Sequence, residues 1–145
     1  MPKIYIAADH GGYALKEALI DYLKGNEIVD LGTDSPESVN YPLYADKLAD
    51  HLKVDRTALG ILICGTGLGM SMAANRHPHI RAARCCTGLD ADLARRHNNA
   101  NVLCLGGRTL GEELAKHIVD HFFQASFEGG RHQRRISQFS DPTSC

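Results

Sequence analysis

Seven consecutive residues, Ala58-Leu-Gly-Ile-Leu-Ile-Cys64, carry no charged or hydroxyl side chain, and a glycine-rich turn, Gly65-Thr-Gly-Leu-Gly69, follows at once. A short apolar run without polar alternation predicts a strand buried on both faces, as in a parallel sheet. Such a strand needs partner strands on either side and helices over both faces. The rest of the chain supplies them. Lys3–Ala8, Glu27–Gly32, Ile80–Cys86 and Asn101–Gly106 read as further strands. Between them lie segments of helical period. Leu15, Ala18, Leu19, Tyr22 and Leu23 share a spacing that stops at Gly25. Pro42 suits a first helical turn before Ala45, Leu48, Ala49 and Leu52. Met70–Asn75 opens another helix, and Asp90–Arg96 forms a short one. Leu110–Gln124 is the clearest, with Leu114, Ile118, Val119 and Phe122 on one side. Strands alternating with helices predict the α/β class, a parallel sheet with right-handed crossovers. No repeat, low-complexity tract or linker divides the 145 residues, so a single domain is expected.

Composition narrows the function classes. A formal net charge of -1 gives no general reason to expect nucleic acid or an anionic membrane as partner. No apolar run approaches the roughly 20 residues of a membrane span. The start, Met-Pro-Lys-Ile-Tyr-Ile-Ala-Ala-Asp-His, lacks a signal-peptide pattern, so a cytoplasmic location is the expectation. The five cysteines (Cys64, Cys85, Cys86, Cys104 and Cys145) are odd in number and form no Cys-x-x-Cys, which fits a reduced protein.

In this architecture ligands bind beyond the carboxyl ends of the strands. Those loops hold Asp9-His10-Gly11-Gly12, the polar stretch from Gly32 to Tyr41, the glycine turn, Thr87–Asp90 and Gly106–Gly111. Glycines let backbone amides converge on an anion or a developing oxyanion. The turn is not a nucleotide fingerprint. Its spacing is G-x-G-x-G, Arg84 stands about where an acid would, and no Gly-Lys-Ser/Thr occurs. Cys64 at its mouth could serve as base or nucleophile, although a free cysteine is more often inert core. Asp9 with its glycines could simply close a turn. His97-Asn98 precedes a strand, away from the usual ligand edge. Arg131, His132, Arg134 and Arg135 form a basic cluster that suits phosphate, or merely a solvated surface. His77 with His79, and His117 with His121, lack the partners of a metal motif and read as surface histidines.

Taken together, Ala-Ala-Asp-His-Gly-Gly, Ile61–Asn75, Arg95–Leu103 and Phe127–Arg135 resemble the ribose-5-phosphate isomerase B family, which also contains galactose-6-phosphate isomerase subunits. The resemblance runs from Lys3 to about Phe139. It implies one isomerase domain over 1–139, with 140–145 as a polar tail. It also implies a Rossmann-like, three-layer αβα sandwich whose five-stranded parallel sheet has the order 2-1-3-5-4. The implied reaction interconverts an aldose and a ketose phosphate through a cis-enediolate, with no metal or organic cofactor.

Position by position, the resemblance implies Cys64 as base, because Leu68-Gly-Met-Ser71 lacks the glutamate of the family's other branch. Thr66 would handle the carbonyl-side proton, and Gly65, Gly67, Leu68 and Gly69 would line the anion hole. His97 would open the sugar ring with Asn98 beside it, and Asp9 would bind sugar hydroxyls. His10, Arg108, Arg131 and Arg135 would serve the phosphate, and Tyr41 would contact substrate. A homodimer with shared sites is implied, or a tetramer built from it. Ribose 5-phosphate is the leading substrate. A hexose 6-phosphate of allose or galactose type is the alternative, since one carbon separates them by only roughly 1–3 kcal/mol. A thiol redox enzyme using Cys64 is disfavoured by the lack of a resolving cysteine nearby. A non-catalytic sugar-phosphate or nucleotide-binding module is disfavoured by the failed fingerprints.

Overall fold

The computed structural model describes residues 2–139, so the tail at 140–145 lies outside the described residues. Five parallel strands form one sheet: β1 (Ile4–Ala8), β2 (Ile28–Asp30), β3 (Leu59–Cys64), β4 (Ala82–Arg84) and β5 (Val102–Gly106), in the order β2-β1-β3-β5-β4. The three central strands are buried at every position, as their unbroken apolar sequences require. Ile6 sits beside Ile61, which sits beside Leu103. The edge strands are three residues each and only partly buried, shorter than their sequences suggest. Each has a sheet partner on one side only, so pairing ends sooner.

Among the described residues, six helices surround the sheet: α1 (Tyr13–Tyr22), α2 (Tyr41–Val54), α3 (Leu68–Ala74), α4 (Gly88–Asn98), α5 (Glu112–Gln124) and α6 (Arg131–Ile136). Side chains alternate across each strand. Ile61 and Ile63 therefore meet α1, α4 and α5 through Leu19, Ala94, Ile118 and Phe122. Leu62 and Cys64 meet α2 and α3 through Leu48, Ala45 and Met70. This is the αβα sandwich that the alternation implied.

Four details differ from the sequence reading. On α1, Tyr22 is exposed while Lys16 is fully buried, because its ammonium reaches Glu17 at 2.7 Å and Asp30 at 2.9 Å. On α5, Leu114 is exposed and Ala115 takes the core position. Helix α4 starts before Asp90, because the Thr87 side chain caps it by accepting the Asp90 N–H at 3.0 Å, and it ends at Asn99 in the left-handed region. Helix α6 is absent from the sequence reading. Gly129 and Gly130, at φ 71° and 58°, turn the chain, and His132 and Ile136 then anchor one face of α6 by burial.

Candidate active site

Cys64 ends β3 at the carboxyl edge of the sheet, 5 % exposed. The Gly67 amide donates to its Sγ at 3.2 Å, holding the sulfur against the turn. Gly67 has φ 82°, a conformation that an L side chain rarely adopts, and a Cβ there would lie 3.0 Å from the Leu105 carbonyl carbon. The Leu68 amide donates to Thr66 Oγ1 at 3.2 Å. Two of the amides expected to line an anion hole are therefore engaged within the loop itself.

Neighbouring loops brace this turn. The Gly107 amide donates to the Cys64 carbonyl at 2.8 Å, and the Arg108 amide donates to the Gly65 carbonyl at 3.0 Å. A Cβ on Gly107 would stand 2.3 Å from the Gly11 carbonyl oxygen, so only glycine lets these strand-end loops touch. Arg84 donates from Nε to the Thr66 carbonyl at 2.9 Å. Arg84, which in the sequence argues only against a nucleotide fingerprint, straps the turn to β4.

Asp9 is buried, and its Oδ1 accepts from the Gly11 and Gly12 amides at 2.9 and 3.2 Å. It therefore closes its own turn and leaves Oδ2 for other work. The Val39 amide donates to His10 Nδ1 at 3.2 Å. Neutral His10 consequently carries its proton on Nε2. The Tyr41 ring lies over Gly69, and Arg108 Nη1 lies over Gly65, each within reach of a Cβ built there. Asp9, His10, Tyr41, Cys64, Thr66, the loop glycines, Leu68 and Arg108 thus gather at one edge.

The other expected residues do not join them. Helix α4 carries the chain from the carboxyl edge back across about 16 Å, so His97 and Asn98 lie at the amino edge. Helix α6 sits beside the end of α4 and brings Arg131 and Arg135 to that same edge. There the His97 and His132 rings stack, with centroids 4.3 Å apart and planes 12° apart. Glu128 accepts Arg96 Nε at 2.8 Å through Oε2, and its Oε1 stands 3.9 Å from His97 Nε2 and 3.6 Å from His132 Nε2. The Arg96 bond holds the Glu128 carboxyl below its ordinary range. Burial pushes His132 toward its neutral form, with the Arg131 charge adding to the effect. Glu128 and His132 stand inside the Phe127–Arg135 motif; Glu128 has no role in the sequence reading and His132 only a place in the basic cluster, since nothing in the sequence sets either against His97.

The remaining histidines are engaged elsewhere. His77 pairs with Asp46 at 2.7 Å, and His79 Nε2 lies 2.7 Å from the Ala49 carbonyl oxygen, so both are half-buried fasteners rather than free surface groups. His117 and His121 pack together over Gly88. A cleft of about 520 Å3 lies between the end of α3, β4 and Asn98, lined by Asn75, Arg81 and Phe139 and not by Cys64. No helix among the described residues is long and apolar enough to cross a membrane.

Comparison with known proteins bears on the family and the fold. The profile of the Ribose/Galactose Isomerase family matches residues 4–139. Ribose-5-phosphate isomerase B of Escherichia coli is 46% identical over 138 residues, covering 94% of this chain and 93% of the relative. The crystal structure of a ribose 5-phosphate isomerase from Thermotoga maritima aligns with a TM-score of 0.94 at 53% identity, covering 96% of this chain and 97% of that one. The Mycoplasma genitalium ribose-5-phosphate isomerase B, crystallised with bound ribulose-5-phosphate, aligns with a TM-score of 0.92 at 45% identity, covering 95% and 93%. With a profile match over nearly its full length and the corresponding fold, this chain belongs to the Ribose/Galactose Isomerase family.

Proposed function

We propose that the protein interconverts ribose 5-phosphate and ribulose 5-phosphate, with Cys64 as the base. One observation carries the reading: a thiol at the end of a central strand, held by a main-chain amide at the mouth of a glycine turn. As thiolate, Cys64 removes the proton on C2 of the open aldehyde and returns it to C1. The charge of the cis-enediolate between those steps falls against the Gly65–Gly69 backbone. Thr66 passes the proton between the two oxygens, and Asp9 Oδ2 accepts a sugar hydroxyl. Tyr41 walls the pocket. The proton moves within the substrate, so the reaction consumes no oxidant or reductant.

His97, Asn98, Arg131 and Arg135 belong to this chemistry as well, yet they lie at the opposite edge of their own chain. We infer that two copies pair so that the amino edge of one completes the Cys64 pocket of the other. His97 then opens the sugar ring, and Arg131 and Arg135 hold the phosphate together with His10 and Arg108.

A coupled assay comparing ribose 5-phosphate with allose 6-phosphate and galactose 6-phosphate tests the substrate. Preference for either hexose would replace the pentose assignment. Cys64→Ala should lower kcat by at least about 100-fold, within the range ascribed to general acid–base groups, while ribose 5-phosphate still binds. Near-normal kcat in that variant would remove Cys64 as the base.

A further inference from the structure

The amino-edge cluster holds a carboxylate that the reaction described above leaves unused. Glu128 is fixed on both sides: its amide donates to the Arg96 carbonyl at 3.0 Å, and its Oε2 accepts from the Arg96 guanidinium. Arg96 is itself tied to Asp92 on α4 at 2.9 Å. Oε1 is left facing two imidazole nitrogens, His97 Nε2 and His132 Nε2. Both separations exceed hydrogen-bond length but suit charge contact. His132 is 6 % exposed, and its Nε2 has no hydrogen-bond partner. Its ring is a flat, neutral surface that sets the plane of His97 by stacking. Nearly parallel rings cannot both aim in-plane lone pairs at one point between them, so the arrangement suits proton handling rather than a shared metal ion.

We propose that Glu128 is a positioning residue for ring opening: it holds the His97 proton on Nε2, leaves Nδ1 as the working nitrogen, and stabilises the imidazolium that forms. This rests on the ring-opening reading of His97 given above. Opening a furanose removes the proton of the C1 hydroxyl, turns that O–H electron pair into the C1 carbonyl, breaks the bond from C1 to the ring oxygen, and delivers one proton to that oxygen. One proton leaves and one arrives, so a single imidazole nitrogen can take the first and return it to the second. Between the two events His97 is a cation, and Glu128 is the anion facing it. Arg131 and Arg135 disfavour a cation on the adjoining His132 ring.

The test separates ring opening from enediolate formation. Ribulose 5-phosphate has no free 5-hydroxyl and stays acyclic, so solvent deuterium enters its C1 without any ring step. In Glu128→Gln, turnover of ribose 5-phosphate should fall at least about tenfold, a part of what acid–base catalysis supplies. Exchange at C1 of ribulose 5-phosphate should stay within twofold, which also shows that the site is folded. The isotope effect with C2-deuterated ribose 5-phosphate should shrink toward one as ring opening comes to limit turnover. His97→Asn is run alongside. If His97→Asn shows this split and Glu128→Gln does not, because both rates fall equally or neither falls, the Glu128 inference is overturned alone. If His97→Asn shows no split, the ring-opening reading falls and takes this inference with it.

Discussion

The cysteines show how far a single residue type can diverge with its surroundings. Cys85 is almost fully buried, and burial pushes its thiol up to about 12; Cys104, wholly enclosed, is pushed further still. Both are inert at neutral pH. Cys64 also lies in the sheet, yet its sulfur meets a turn amide rather than only aliphatic neighbours. The position of Cys64 was legible in the sequence because an apolar strand and three alternating glycines flank it. The contacts of Glu128 and His132 with His97 were not legible, since they follow from a ring stack between helices that are far apart in sequence. Gly67 sets the geometry of the turn. Gly67→Ala forces a side chain into the left-handed region against the Leu105 backbone. It should destabilise the fold by about 1–3 kcal/mol in denaturant titrations and lower kcat by displacing the amide from the sulfur.

Elements were legible where one signal dominated. The buried central strands and the amphipathic α5 follow from pattern alone, and α2 opens with Pro42 in its first turn. Helix α6 escaped because six residues rich in arginine show no apolar stripe; it exists because His132 and Ile136 find a place against α4. The strap between α2 and the loop after α3 was also hidden. Asp46 accepts from Arg76 at 2.6 Å and pairs with His77, and the His77 bond above all lowers its carboxyl pKa from 3.8. A depressed carboxyl stabilises the fold above its unfolded value and loses that contribution as pH falls through the folded one. Asp46 is 42% exposed, so the contribution is under about 1 kcal/mol. Asp46→Asn should therefore melt within about 3 °C of the parent at pH 5 but below it. The gap should close as the medium becomes more acidic than pH 3.8, as followed by thermal scans at stepped pH.

At the scale of the whole molecule, the separation of the two clusters is the governing fact. A sheet crossed by α4 puts His97 at one edge and Cys64 at the other, so the expected site residues fall into two groups that one chain keeps apart. Strand direction alone sets His97 at the amino edge, while the expectation of a dimer with shared sites comes from the family resemblance. Mixing tests it. Cys64→Ala and His97→Asn proteins, each strongly impaired alone in turnover of ribose 5-phosphate, should recover about a quarter of parental activity after subunit exchange, since half the dimers are mixed and each of those holds one intact site. No recovery in the mixture would mean that each chain works by itself.

The enclosed ammonium of Lys16 has a use of its own. Every other lysine in the described residues is at least partly open to water, whereas Lys16 is sealed beneath the β2 edge by Asp30 and Glu17. An amine-reactive reagent should therefore tag the other lysines within minutes and reach residue 16 only when α1 lifts from the sheet. Mass spectrometry of that single peptide over time would turn one side chain into a clock for how often the native molecule opens.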